Sequence, residues 1–417
     1  VVIYNFQAMS SKKIVYLDHA AATPLDSKVK EAMLPYLESE YGNPGGIYTV
    51  GRKAKETIDS AREIVAKILS CTAAEIIFTG SGTESDNLAI FGVARGYADH
   101  GKHIITTTFE HHAVLNPCKA LQKEGYDVEF LKVDADGLIT PEQLKAAIRP
   151  DTILVSIMYA NNEVGTIEPI AELTRALQEK KKEMGRKQND PPFFHTDACQ
   201  AAGYLDMNIK NLGVDLVTIN GSKIYGPKGT GALYVRRGLR LTPLIYGGGQ
   251  EMKMRSGTEN VAGIVGLAKA LQIAQEEKEK EVARLIPLRN KLIAGIMEKI
   301  PNAILNGPAD NYSLSFARLG DWQGRRLPNN VNISILDIEG EAMLLYLDEY
   351  GICASTGSAC DSQSFDPSHV ILALGKPLKF ARASMRFTLG RSTTEEDINY
   401  VLEKLPEIVQ KLGKISH

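Results

Sequence analysis

The sequence predicts an α/β protein with a large, mostly parallel sheet domain and a smaller α+β domain. Three observations predict this. Short runs rich in β-branched and aromatic residues alternate with helix-period segments from about residue 52 to residue 235, the pattern of strands joined by crossover helices that cover both faces of a sheet. Beyond residue 262 that alternation gives way to a long charged helical stretch and then to isolated strands and helices. At 417 residues, 44% hydrophobic and 24% charged, the chain can bury a large core and divide into two or three domains.

Taken in order, residues 52–69 have the period of an amphipathic helix, Glu75–Thr79 reads as a strand and 83–97 as a second helix. Strands follow at His103–Thr107, Val128–Leu131, Ile153–Met158, Phe193–Thr196, Val214–Ile219 and Gly231–Val235, with helices near 113–124, 141–148 and 170–184. A helix spans 262–300, with a kink expected at Pro287. Then come a strand at Asn330–Ile335, a helix from Gly340, a strand at Met385–Leu389 and a terminal helix from Thr394. The expected division is a large domain over 25–262 and a small domain made of 14–24 plus 263–417, the latter carrying a cysteine loop at about 351–368. Residues 1–13 are expected to be disordered or vector-derived, because the chain opens without methionine and reaches Met9 before a polar run. The segment Lys180–Pro192 is polar and ends in two prolines, so it reads as a solvated loop.

Composition excludes several classes. A formal charge of −2 leaves no excess of cations to neutralise phosphodiesters, so direct nucleic-acid binding is not expected. No apolar run approaches the roughly 18 residues that suggest a membrane span, and the expected compartment is the cytoplasm. Five cysteines at 71, 118, 199, 353 and 360 show no CxxC spacing, which points away from a disulfide framework or a structural metal and towards a reduced compartment with one reactive thiol. No metal site is expected.

At a turn after a predicted strand, Asn220-Gly-Ser-Lys223-Ile-Tyr-Gly-Pro-Lys-Gly229 places one lysine beside Gly and Pro, and Asp197-Ala-Cys-Gln200 lies just upstream. An amine and an acid so placed suit pyridoxal 5'-phosphate, which needs a lysine to hold it as an imine and a carboxylate to keep its ring nitrogen protonated. A surface lysine beside a turn is the plain alternative. Thr79-Gly-Ser-Gly-Thr83 follows a strand and opens a helix, which makes either an anion site or a tight connection. Glu110-His111-His112 follows another strand, where one ring could stack on a flat cofactor; neighbouring histidines on an extended segment cannot both do so. Asn161-Asn162-Glu163 ends a further strand with three polar side chains. Cys360 sits in a Gly/Ser-rich stretch and is the thiol expected to react, while Cys71, Cys118 and Cys353 read as buried. Arg386 in a strand-like run needs an anion, either a substrate carboxylate or a structural partner.

With these pieces in order, the chain resembles the cysteine desulfurases of the aminotransferase class V group. The resemblance runs from Tyr16-Leu-Asp-His-Ala-Ala-Ala-Thr23-Pro through Tyr41-Gly-Asn43-Pro, TGSGTESDN, Glu110-His-His112, Asn161-Asn-Glu-Val-Gly165, His195-Thr-Asp197-Ala-Cys-Gln200, SKIYGPKG, Arg255-Ser-Gly-Thr258-Glu-Asn260 and GSACDS to RFTLGR. It implies a fold-type-I PLP-dependent transferase with Lys223 as the cofactor lysine, Asp197 as the pyridinium partner and His112 as the ring-stacking base. Gln200 and Asn162 are implied contacts to the ring hydroxyl or substrate amine. Gly82, Thr83 and Ser222 resemble phosphate ligands, and Thr258 one delivered from the other subunit of a homodimer. Asn43 and Arg386 look like the grip on the substrate carboxylate, and Cys360 the sulfur acceptor. The implied reaction turns L-cysteine into L-alanine and leaves the sulfur as a persulfide, to be passed to an acceptor protein such as an iron–sulfur scaffold, or towards tRNA thiolation. The longer GSAC-type loop is similar to the iron–sulfur-cluster-assembly branch. Two departures stand out: Gly45-Gly46-Ile47-Tyr48 where many relatives carry Ser-Ser-x-His, and Asn220 and Ser222 where many carry Ser or Thr and His. The rival readings are another class V enzyme, an aminotransferase or selenocysteine lyase, and a catalytically idle assembly partner.

Overall fold

The computed structural model of the chain describes residues 13–309, 325–356 and 367–414. The first part runs β1 (Val15–Tyr16), α1 (Ser27–Glu38), α2 (Thr49–Leu69), β2 (Ile76–Thr79), α3 (Gly82–Gly96), β3 (His103–Thr107), α4 (His112–Lys123), β4 (Asp127–Leu131), α5 (Pro141–Ala147) and β5 (Thr152–Ser156). There follow α6 (Ile170–Glu183), β6 (Phe193–Asp197), α7 (Ile209–Leu212), β7 (Leu216–Asn220), β8 (Gly231–Val235), α8 (Val261–Glu276) and α9 (Lys278–Lys299). The remainder holds β9 (Ala303–Leu305), β10 (Asn330–Ile335), α10 (Gly340–Glu349), β11 (Ile352–Cys353), α11 (His369–Ala373), α12 (Leu378–Arg382), β12 (Ser384–Thr388) and α13 (Glu395–Gly413).

Among the described residues two compact units result, one made of residues 22–162 and 166–280, the other of residues 13–21, Glu163–Gly165 and the described residues from Glu281 onward. In the larger unit, seven strands form a sheet in the order β2-β8-β7-β6-β5-β3-β4. Only the pairings of β8 are antiparallel. Every residue of β2, β3, β5 and β6 is buried, as a sheet covered on both faces requires. Ile90 and Val93 of α3 pack with Ile104, Leu154, Phe193 and Leu216 from the strands to make its core. The carboxyl ends of β3, β5, β6 and β7 therefore open onto one edge of the sheet, where parallel α/β sheets build their sites.

Several boundaries follow from local chemistry. Thr140 caps α5 in a capping box with Gln143, and Pro141 opens the helix. Thr394 does the same for α13 with Asp397. The stretch 262–300 is not one helix kinked at Pro287: it breaks at Glu277, and Pro287 lies inside α9. The break falls in the charged run Glu276–Lys280, which offers no apolar side chain to hold a continuous helix against a core. Helix α8 is apolar and largely buried and packs on α1 and α2, so the larger unit extends to Lys280, beyond the expected boundary at 262. It also takes in residues 22–24, because the Thr23 hydroxyl accepts from Tyr225 N at 2.8 Å and donates to Ser222 O at 3.0 Å. The expected loop at 180–192 begins as helix: α6 continues through Glu183, and Lys181 is only 2% exposed.

The smaller unit carries an antiparallel sheet in the order β12-β10-β9 and a parallel pair of β1 with β11. The Glu163–Gly165 segment belongs to it because buried polar side chains hold that backbone. Asn330 and Asn332 donate to Glu163 O at 3.0 and 3.1 Å, and the buried Arg326 guanidinium donates to Val164 O at 2.8 Å.

Candidate active site

Strand β7 ends at Asn220, whose side-chain Oδ1 accepts from Ser222 N at 3.2 Å and from Ser222 Oγ at 3.1 Å. This caps the 3-10 turn Gly221–Lys223 and accounts for the asparagine that departs from the family pattern. A Cβ at Gly221 would stand 2.3 Å from Thr230 Oγ1, so only glycine lets the turn lie against the start of β8. Tyr225 has φ +63, a conformation that costs a non-glycine residue free energy unless its surroundings enforce it. Thr23 supplies that enforcement by bonding on both sides of Lys223, to Ser222 O and Tyr225 N. The amine of Lys223 is thus hung on a turn fixed from the strand, from β8 and from the Thr23 segment.

Asp197 terminates β6 at 6% exposure, and its Oδ1 accepts from Cys199 N at 2.9 Å. Both Asp197 and the Lys223 ammonium act electrostatically on the buried Cys199 thiol, which burial pushes well up. These two charged groups therefore share one neighbourhood. Two residues earlier in β6, His195 lies 2.8 Å from Ser156 Oγ and 3.1 Å from Thr218 Oγ1, and burial lowers its pKa to about 4. The ring is neutral and adds no cation next to Asp197. Burial, reinforced by Asp197, pushes the Asp86 carboxyl well up, and burial takes Glu110 up to about 8. Glu110 therefore holds its proton at neutral pH.

Helix α3 brings its N-terminus to the same place. A Cβ at Gly82 would stand 2.7 Å from Cys199 Sγ and 3.2 Å from Asn220 Cβ, so the first turn of α3 is seated on the ends of β6 and β7 at once. Ser81 caps it through Glu84 N at 3.1 Å, and the unpaired N–H groups of a first turn attract anions. Glu84 does not compete for them, because its carboxylate accepts from Gly80 N at 2.8 Å and pairs with Arg255 at 3.0 Å. Thr83 is exposed at the helix start. Arg255 opens the segment that leads to the exposed Thr258. That segment is anchored by Glu251, 6% exposed, whose carboxylate takes both terminal nitrogens of Arg62 at 2.6 and 2.7 Å and the Phe78 N–H at 2.7 Å.

Of the remaining residues, His112, Asn162 and Gln200 follow the carboxyl ends of β3, β5 and β6 in the chain. His112 is the first residue of α4, while His111 uses Nδ1 to accept from Ala113 N at 3.1 Å as the cap. Asn161 is buried with Nδ2 on Phe109 O at 2.9 Å, and Asn162 beside it is half-buried. Gln200 is half-buried just past Asp197. Asn43 is exposed, and its Oδ1 accepts from Gly45 N at 2.9 Å. A Cβ at Gly46 would lie 2.4 Å from the Tyr48 ring, so the departure at 45–48 is a matched pair, a glycine beneath an aromatic ring. In the smaller unit, Arg386 is 3% exposed and pairs with Asp18 at 2.8 Å, the structural partner that the sequence left open. Cys360 lies outside the described residues. Sequence reasoning missed the parts played by Thr23, Arg62 and Glu251; a threonine before proline and an Arg–Glu pair 189 positions apart carry no local signal.

Lysine, buried acid and helix start thus converge on one edge of the larger sheet, and these residues fit pyridoxal 5'-phosphate: an amine, a carboxylate and a phosphate-sized row of N–H donors. The aminotransferase class-V family model matches residues 15–401, and the chain belongs to that family of pyridoxal-phosphate enzymes. Within the family it falls among the cysteine desulfurases. It is 49% identical to cysteine desulfurase IscS of Dictyoglomus turgidum, with 97% of each chain covered, and 47% identical to cysteine desulfurase IscS of Methanosarcina thermophila, covering 98% of this chain and 95% of that one. Among solved structures, a NifS-like protein matches with TM-score 0.85 at 37% identity, covering 96% of this chain and 100% of that one. SspA in complex with cysteine matches with TM-score 0.74 at 34% identity, over 90% of this chain and 98% of that one.

Proposed function

We propose that the chain is a pyridoxal-phosphate-dependent desulfurase that converts L-cysteine to L-alanine and receives the sulfur on Cys360 as a persulfide. The observation that carries this reading is the seating of the α3 N-terminus on the ends of both β6 and β7, beside Asp197 and the Lys223 turn, in a chain that belongs to the cysteine desulfurases. When bound, pyridoxal 5'-phosphate supplies an electron sink for bonds at the substrate's α-carbon. The chain's own residues do the rest. Gly82, Thr83 and Ser222 hold the phosphate, Asp197 holds a proton on the ring nitrogen, and His112 covers the ring face. Gln200 and Asn162 face the ring hydroxyl and the substrate amine. Asn43 and Arg386 grip the substrate carboxylate, for which the guanidinium's five donors leave capacity beyond Asp18. Lys223 takes the α-proton, and Cys360 Sγ as thiolate attacks the substrate sulfur: an S–S bond forms, the C–S bond breaks, and its electron pair stays with the carbon that becomes the alanine methyl after protonation.

The outcome that tests the thiol is the fate of the sulfur. Cys360→Ser is expected to leave the bound-cofactor absorbance unchanged and to abolish protein-bound persulfide after incubation with labelled cysteine. Label on the variant at the wild-type level contradicts the assignment. A pyridoxamine form accumulating with a 2-oxo acid would instead mark an aminotransferase.

The working unit is a homodimer, with Thr258 reaching the neighbour's phosphate. Support comes from large apolar side chains left exposed in the larger unit, Tyr41 at 81%, Ile47 at 87% and Tyr246 at 75%, of the kind that mark interaction surfaces when they gather. Light scattering that returns the mass of one chain would remove this part. The persulfide passes to an acceptor protein for iron–sulfur cluster assembly or tRNA thiolation, and the compartment is the cytoplasm. Among the described residues no helix is long and apolar enough to cross a membrane.

A further inference from the structure

A cavity in the larger unit takes no part in the chemistry above. It holds about 560 Å3, and Lys181, Lys182, Arg186, Lys187, Lys210 and Arg236 line it against one carboxylate, Asp215. That volume lies within the usual span of small-molecule pockets. The cavity sits at the sheet edge opposite the cofactor residues. Its walls include Val214 and Asp215 just before β7, and Tyr234 and Arg236 at the end of the antiparallel β8, where Leu216 pairs with Val235. Lys223 follows the other end of β7.

The single carboxylate is already committed. Asp215 Oδ1 accepts from Arg236 Nε, and Oδ2 accepts from Phe194 N at 2.8 Å. Lys181 is 2% exposed; its ammonium donates to Gln188 O at 3.1 Å and lies 5.4 Å from the Phe193 ring centroid. An ammonium has three donors, and a buried one held by a single carbonyl and a ring face suits an anion within the cavity. Burial lowers the Lys181 pKa, which an anion would reverse. Lys182, Lys187 and Lys210 are exposed at the rim and form no ion pair among the described residues.

The plain explanation is the helix dipole, since Lys180, Lys181 and Lys182 fill the last turn of α6, where cations are favoured. It accounts for one element of the wall. It does not account for Lys187 in the loop after α6 or Lys210 on α7, which line the same space from other directions; Arg236 is taken by Asp215, Asn189 and Gln188, and the lysines left without a carboxylate repel one another.

We propose that this cavity binds a small polyphosphate anion, either free or as the phosphate chain of a nucleotide. The experiment uses the holoenzyme, so that the cofactor's own phosphate site is filled. Calorimetric titration with inorganic tripolyphosphate at low salt is expected to show saturable binding of one anion per chain, weakening as NaCl screens the site. In a Lys182→Glu/Lys210→Glu variant, both changes exposed and remote from the cofactor residues, affinity is expected to fall about tenfold or more, with the ligand-free melting temperature unchanged. A nucleoside triphosphate arm separates the sources: about tenfold tighter binding than tripolyphosphate means that the base and sugar are also read, and equal binding means that the phosphate chain alone is read; both sustain the proposal. Absence of saturable binding, or binding of equal strength in the doubly reversed variant, overturns it.

Discussion

Lys223→Ala is expected to lower the rate of alanine release from L-cysteine by about a thousandfold or more, the scale of losing a positioned general base that also tethers the cofactor. The fold should survive. The turn that carries Lys223 is held by backbone and neighbouring side chains, namely Asn220 Oδ1, Thr230 O and Thr23 Oγ1, and none of these bonds uses the lysine amine. The melting temperature of the cofactor-free variant should therefore stay within about 2 °C of the cofactor-free wild type. A variant that folds and keeps its rate within about tenfold of wild type would show that the proton is moved elsewhere.

The largest expected stability effect lies outside the chemistry. Glu251→Ala removes one partner of a buried bidentate pair and leaves the Arg62 guanidinium, 8% exposed, with the Ile76 carbonyl at 2.6 Å and the Phe78 ring 4.7 Å away but no counter-charge. It also strips the Phe78 N–H of its acceptor. Breaking such a pair costs about 3–5 kcal/mol, read as a drop in the denaturant midpoint. Because Glu251, Met252 and Lys253 all carry positive φ, at 44, 56 and 67, the carboxylate is also what holds this strained stretch ahead of Arg255 and Thr258. The double variant Arg62→Met/Glu251→Ala should recover part of the loss, since no buried charge is then left alone. A single-variant loss under about 1 kcal/mol would mean that the pair contributes no more than a surface salt bridge does.

Much of the large sheet is legible in the sequence because most of its strands are short apolar runs bounded by turn residues, and His103–Thr107 and Gly231–Val235 form over the expected residues, as Asn330–Ile335 does in the smaller sheet. Short or polar elements are not. Strands β1, β9 and β11 are two or three residues long, and they exist only because a partner strand accepts them. Helix α1 carries an internal Pro35, which hides its period. The boundary at 262 failed because an unbroken helical pattern says nothing about which core it packs on. In the site, glycines, lysine and aspartate stand out as motifs next to strand ends. The distances between those strand ends do not, since β6 and β7 are adjacent in the sheet but 19 residues apart in the chain. The run at Lys180–Pro192 reads as solvent-facing by composition, and only the fold brings it against Lys210 and Arg236.

The most direct test of the account is the position of the cofactor's covalent attachment. Holoenzyme reduced with borohydride, digested and analysed by mass spectrometry is expected to carry the phosphopyridoxyl mass on the peptide residue Lys223. Finding that mass on Lys228 or any other lysine, or on none, would contradict it.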